Sequence, residues 1–545
     1  MVLKKLFINL TKLILTLLTF AFIIACRKAI PVSNNTPYIT LNINISINTD
    51  SGMSISPYIY GMNGVPPANE LTANAYRLGG NRTTGYNWEN NLSSAGEDWY
   101  NFNDEYLVPN GRDGSIPAIT VTDFVENAKR YGAYALITLP MAGYVANDRG
   151  GTVNQEDTAP SKRFARIIDR KNAPLSLSPN LADGVVYSDE FINYLVSSIG
   201  MAHNGGINGY SLDNEPALWP STHPRIHPAK PTVAEILEKS VSLSSVVKDI
   251  DPNAEIFGPA LYGLGAYATF QDAPDWNGSY ANNYRWFIDA YLDAMRIAEE
   301  EKGRRFLDVL DLHYYTEARS ALGHRVSDDR DDNEDCINTR LQSTRTLWDA
   351  AYRENSWVWQ SLRSFLPVLP AVNQSIERYY PGTKLSISEY SFGHENHISG
   401  GIAQADALGI FASHGVYFAA LWPLSDKLAY AYAGMNLYTN YDGNGGTFGD
   451  TLVNSVTSNK EFSSVYASID RGGTLHIILL NKSQHNAERF SLSIQSDFTY
   501  RTFVCYGFNA DGPAVKYIGS GEVGENNTLI YELPPLSAYH LVLTQ

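Results

Sequence analysis

Hydrophobic positions change their period twice along the chain. TLNINISI at 40–47 alternates apolar and polar residues strictly, as a half-buried strand does. From about residue 57, short apolar runs are separated by longer stretches of helical period. The runs are YIYGMN (58–63), AYRLGGN (75–81), YALITLP (134–140), GYSLDN (209–214), EIFGPA (255–260), VLDLHYY (309–315), LSISEY (385–390) and VYFAALW (416–422). Helical patterns lie between them, among them VTDFVENAKRYG (121–132), TVAEILEKSVSLSSVVKDI (232–250) and YRWFIDAYLDAMRIAEEEKG (284–303). Eight strands interleaved with helices predict parallel βα units closed into a (β/α)8 TIM-like barrel, an α/β fold. After about residue 445 the alternation returns in SSVYASID, TLHIILLNKS, RFSLSIQS, RTFVCYGF and YHLVLTQ, with no long helix between them. That pattern predicts a C-terminal β-sandwich. The isolated strand at 40–47 has no barrel role and is expected to join it.

The first residues change the picture of where the protein works. Lys4, Lys5 and Lys12 precede an apolar run at 13–24, too short for a spanning helix and suited to a signal peptide. The run ends Ile23-Ile24-Ala25-Cys26, which resembles a bacterial lipobox and implies cleavage before Cys26 and lipidation of Cys26. Arg27, in place of Asp, suits export beyond an inner membrane where two membranes exist. The expected order is therefore a signal peptide at 1–25, a tether at 26–36, strand at 37–56, barrel at 57–440 and sandwich at 441–545. Membrane contact is expected only through the anchor.

Composition narrows the partners. With 41 Lys+Arg against 57 Asp+Glu the formal charge is -16, which argues against a nucleic-acid partner. Aromatic residues reach 12%, 35 of them Tyr, which serves a core and a sugar-stacking cleft equally well. Cys336 and Cys505 could pair, though nothing in the sequence requires it. A monomer is expected.

Catalytic groups of such a barrel sit at the C-terminal ends of its strands. The fourth strand ends Asn214-Glu215-Pro216 and the seventh carries Ser388-Glu389-Tyr390. An isolated Glu is usually a solvated surface group, but these two close apolar strand patterns, where a lone charge would be costly. Glycoside hydrolysis needs such a pair: an acid for the leaving oxygen and a carboxylate to attack or to activate water. Strands four and seven face each other across the mouth, so a gap of roughly 5 Å and a retaining mechanism are expected. Asn63, Arg77, Asn81, His313, Tyr315 and Trp422 close other strands and should surround the pair. Tyr86, Trp88, Trp99, Tyr144, Trp219 and Trp276 lie in or near strand-following loops, and core packing competes with substrate stacking for each. The segment 348–359, with a Trp at each end, is expected to line the same cleft.

The segments AYRLGGNRTTGYNWENN (75–91), TLPMAGYVA (138–146), YSLDNEPALW (210–219), DVLDLHYYTEA (308–318), SISEYSFG (386–393) and YFAALWPL (417–424) resemble glycoside hydrolase family 44. The resemblance runs in order over residues 37–545. It implies endoglucanase or xyloglucanase activity, with Glu215 as general acid/base and Glu389 as nucleophile. HYYTEA departs from the expected HWYPEA but keeps the spacing of His313 and Tyr315. In this frame Arg77 and Tyr315 hold Glu389 ionised, and the charge of Glu389 raises the pKa of Glu215. Asn214 would bind the sugar 2-hydroxyl, and Trp422 would floor the subsite of the reacting sugar.

No cofactor is expected for catalysis. Asp148, Glu156 and Asp157, with Glu70, could build an oxygen-ligand site for a structural calcium. The charge run SDDRDDNED (327–335) does not follow EF-hand order and reads as a solvated loop. His223, His227, His394 and His397 lack zinc spacing with any Cys or Glu pair. The leading expectation is a retaining endo-β-1,4-glucanase acting on cellulose-type glucans or xyloglucan. Hydrolysis of xylan or mannan, or a lipid-tethered glycan-binding protein without catalysis, are the alternatives.

Overall fold

The computed structural model describes residues 40–65, 71–328 and 332–545. Cys26 and Glu70, and with them the expected lipidation and one expected calcium ligand, lie outside the described residues. Among the described residues no helix is long and apolar enough to cross a membrane.

Eight parallel strands close a barrel: β1 (Gly61–Asn63), β2 (Ala75–Leu78), β3 (Tyr134–Leu139), β4 (Gly209–Leu212), β5 (Glu255–Leu261), β6 (Val309–Tyr315), β7 (Lys384–Ser391) and β8 (Phe418–Leu421). Each pairs in parallel with its neighbours, and β8 returns to β1. They read as continuous apolar runs because barrel strands are buried on both faces, and every residue of β3 and β4 is buried. The barrel interior is filled by Ala75, Leu136, Phe257, Val309, Phe418 and Ala420.

The outer helices start and stop where their sequences say. The helix Val233–Ile250 begins at Thr232, whose hydroxyl accepts from the Glu235 backbone N–H, and Lys248 sits in its last turn. The helix Phe287–Lys302 ends at Gly303, whose φ of 73° is a left-handed cap.

Nine further strands make one hydrogen-bonded sheet. The strand Thr40–Ser54 pairs antiparallel with Thr451–Thr457 and so lies inside this sheet. The sheet folds so that Ile43, Ile47, Leu479, Phe490, Leu529 and Leu541 share one core, which is the sandwich principle carried out with a single continuous ladder. Three of its strands, Thr451–Thr457, Gly512–Glu522 and Thr528–Leu533, are additional to those the alternation predicts. No disulfide joins the two described cysteines: Cys336 is buried in the helix Glu334–Ser343, and Cys505 in the strand Thr502–Asn509.

Candidate active site

The C-terminal mouth of the barrel collects its polar residues around one guanidinium. Arg77, on β2, is fully buried. Its Nη1 donates to Glu389 Oε1 at 2.5 Å and to Asn63 Oδ1 at 3.0 Å, and its Nη2 donates to Asn214 Oδ1 at 2.8 Å. The glycine pair that follows makes this geometry feasible. A Cβ on Gly79 would strike the Arg77 guanidinium, and one on Gly80, at φ 89°, would strike the Trp422 ring. Glu389, on β7, also accepts from the Tyr315 hydroxyl at 2.8 Å. Burying this carboxylate is tolerable because a full positive charge and two donors meet it.

Glu215 follows β4 and keeps its side chain 15% exposed. His313, on β6, places Nδ1 2.9 Å from Glu215 Oε1 and 3.5 Å from Glu389 Oε2. The nearest oxygens of the two glutamates lie within 4.8 Å of each other. Burial pushes the Glu215 pKa up to about 7; Arg77 pulls it down and Asp98 adds to the rise. The cause therefore differs from the expected one: desolvation, and not the charge of Glu389, dominates. Burial also pushes the His313 pKa down to about 4, so its ring is neutral near pH 7. Arg77 Nη2 stands 3.4 Å from His313 Nε2. That nitrogen must therefore accept, and the ring proton is assigned to Nδ1, facing Glu215.

The remaining expected residues divide. Asn63 donates to the Ser388 carbonyl at 2.9 Å and braces β1 against β7 beside Glu389. Asn81 accepts from Asn214 Nδ2 at 3.2 Å and donates to Asp98 at 2.9 Å. Trp422 is partly exposed and lies against Gly80 at the same mouth. Three aromatics expected to bind substrate belong to the core instead. Tyr86 is buried, with its hydroxyl on Asn91 Oδ1 at 2.7 Å. Trp88 is 1% exposed and stacks on Phe191 at 5.5 Å. Trp219 is fully buried, and its Nε1 donates to Asp213. Phe191 lies against Tyr86 and Trp88, and His227 and Lys239 lie against Trp219, which takes these rings into the interior. Tyr144 lines a shallow groove with Pro160, Arg166 and Asp183, away from the glutamates. Trp276 is buried as well.

Exposed aromatics mark the cleft better. Trp99 is 58% and Tyr100 70% exposed, and Trp99 follows Asp98, the partner of Asn81. Beside Glu215, a cavity of about 370 Å³ is lined by Tyr262, Tyr315, Glu317, Arg325 and Trp357. Trp357 belongs to the segment 348–359 expected to wall the cleft, whereas Glu317 and Arg325 were not anticipated, because loop residues carry no periodic signal.

Of the expected calcium ligands, only Asp148, Glu156 and Asp157 lie among the described residues. Asp148 pairs with Arg163 at 2.6 Å, and among the described residues it forms no ligand cluster with Glu156 and Asp157. Asp332, His394 and His397 do converge despite their sequence spacing, but His397 Nδ1 accepts from the Ser399 N–H and caps a helix.

A closed parallel barrel whose fourth and seventh strands aim two carboxylates into one open cleft defines a two-carboxylate glycoside hydrolase. The model of glycoside hydrolase family 44 matches residues 92–318, a span that includes Glu215. Endoglucanase A of Paenibacillus lautus is 47% identical over 96% of this chain and 75% of its own length. A Paenibacillus polymyxa xyloglucanase of family 44, solved with xyloglucan, is 46% identical with a TM-score of 0.90, covering 92% of this chain and all of that one. The family 44 endoglucanase of Clostridium thermocellum is 50% identical with a TM-score of 0.89, covering 93% of this chain and all of that one. This chain belongs to glycoside hydrolase family 44.

Proposed function

We propose that the protein is a retaining endo-β-1,4-glucanase that cuts internal bonds of cellulose-type glucans and of xyloglucan. The observation that carries the reading is the approach of the two carboxylates to within 4.8 Å. An approach that close suits direct attack by one glutamate, whereas the carboxyl groups of inverting enzymes stand roughly 6.5–9.5 Å apart.

The chemistry runs in two steps. Glu389 attacks the anomeric carbon while Glu215 gives its proton to the glycosidic oxygen, which leaves as an alcohol. His313 Nδ1–H occupies Glu215 Oε1, so the acid proton resides on Oε2. The sugar is then an ester of Glu389. In the second step Glu215, now a carboxylate, takes a proton from water, which attacks the same carbon and frees Glu389. Two displacements restore the β configuration. A pKa of about 7 lets one residue act as acid and then as base near neutral pH. The two glutamates and one water supply every group that these steps use, so the steps call on no cofactor.

Exposed rings, Trp357 in the cavity beside Glu215 and Trp99 with Tyr100 next to Asp98, suit a sugar chain bound along an open cleft. The names of the relatives above support a β-1,4-glucan, and the xyloglucan bound by one of them supports a branched one. The leader and Cys26 support an enzyme that is exported and tethered by lipid to a bacterial cell envelope. A reducing-end assay across carboxymethyl cellulose, lichenan, xyloglucan, xylan and glucomannan tests the substrate. The reading expects the first three to be cut, with a rapid fall in viscosity. Release of sugar from xylan or glucomannan alone would overturn it.

A further inference from the structure

We propose that Asp213 is a positioning residue that fixes the acid/base Glu215 in its reactive pose. The two are separated only by Asn214, and both Asp213 (φ 63°) and Glu215 (φ 46°) sit in the left-handed region. Neither is glycine, so the turn between them is strained and must be held by something outside it.

Asp213 provides that hold. It is fully buried, yet its carboxylate meets donors from four places in the chain. Thr84 Oγ1 donates to Oδ1 at 2.5 Å, the Asn214 N–H donates to it at 2.7 Å, and Trp219 Nε1 at 3.4 Å. The Met141 N–H donates to Oδ2. Thr84 closes the short helix Asn81–Thr84 that carries Asn81, Met141 follows β3, and Trp219 begins the turn after Glu215. One carboxylate thus ties β3, the loop after β2 and both flanks of Glu215 to a single point. Burial raises the Asp213 pKa above the usual carboxylate range, and the four donors oppose that rise by favouring the carboxylate. Backbone bonds from Asp213 N–H to the Leu139 carbonyl (3.1 Å) and from Glu215 N–H to the Ala260 carbonyl (3.0 Å) fix the two ends of the turn.

The inference rests on Glu215 being the acid/base, and leaving-group dependence separates positioning from mere stability. A glucan leaving group needs a proton from Glu215, whereas dinitrophenolate needs none. The test measures kcat/KM of the full chain on cello-oligosaccharide and on 2,4-dinitrophenyl β-cellobioside, for wild type, Asp213→Asn and Glu215→Gln. General acid catalysis contributes roughly 10²–10⁴-fold, so Glu215→Gln should lose that much on the oligosaccharide and little on the aryl glycoside. Asp213→Asn should show the same asymmetry, with a loss of about 30-fold or more on the oligosaccharide and under about threefold on the aryl glycoside. Equal losses on both substrates, or no loss on either, would overturn the role of Asp213 while Glu215→Gln keeps its asymmetry. If Glu215→Gln itself shows none, the acid/base reading falls, and this inference with it. Should Asp213→Asn fail to fold, Thr84→Val and Trp219→Phe each delete one donor, and the same asymmetry, smaller, is expected of both. Symmetric losses or none in that pair would overturn the proposal.

Discussion

At the closed end of the barrel Glu255 accepts from the hydroxyls of Tyr134 (2.7 Å) and Tyr417 (2.8 Å) and pairs with Lys384. At the open end Glu389 accepts from the Tyr315 hydroxyl and pairs with Arg77. Lys384 and Glu389 even share strand β7. Each end therefore sets a carboxylate, a tyrosine hydroxyl and a cation together, and the difference lies in what surrounds them. Below, Tyr58, Tyr134, Phe257, Tyr417 and Phe418 pack ring against ring and plug the barrel. Above, a second carboxylate of raised pKa stands within 4.8 Å and faces a cavity. The triad is a way to bury a charge at either end. It becomes chemistry only where a proton donor and an access route join it.

That contrast can be broken by exchanging its terms. Glu389→Gln should cut turnover by about four orders of magnitude or more, the scale of deleting a nucleophile, and should also lower the melting temperature by several degrees, because buried Arg77 loses its counter-charge. Activity of wild type should fall as pH rises through about 7, because Glu215 then loses the proton it must donate. The sign for stability agrees. Folding favours neutral Glu215, so its contribution is present below the ordinary Glu range and is lost as pH rises toward 7. Glu215→Gln should flatten both dependences, read from pH–rate profiles and pH-dependent melting. Glu255→Gln, at the closed end, should carry a stability cost without a catalytic one. It leaves Lys384 and two hydroxyls short of their acceptor and should lower the melting temperature by several degrees, with kcat unchanged. Trp99→Ala should have the smallest effect, raising KM on glucan about 2–10-fold with kcat retained, as loss of one stacking ring does.

The barrel was legible because doubly buried strands read as apolar runs, and the convergence of Glu215 and Glu389 because each run carried an unexpected acid. The sheet was legible only where alternation was strong. The strand Gly512–Glu522 has no fully buried residue, so its sequence carries no pattern to find. Aromatic roles were hidden for a different reason. Trp88 and Trp99 both follow strand β2 and both looked like stacking platforms, yet Phe191 covers one and solvent reaches the other. Nothing local distinguishes them, since the covering helix lies a hundred residues away. Asp213 was equally silent: its four donors meet only after β3, β4 and the loop after β2 are in place.

The central claim is that Glu389 carries the sugar covalently between two displacements. Incubating the enzyme with 2,4-dinitrophenyl 2-deoxy-2-fluoro-β-cellobioside slows the second step and should leave one fluorosugar on the protein. Mass mapping of peptides should place that adduct on Glu389. An enzyme that hydrolyses glucan but forms no adduct, or carries it on another residue, would contradict the account.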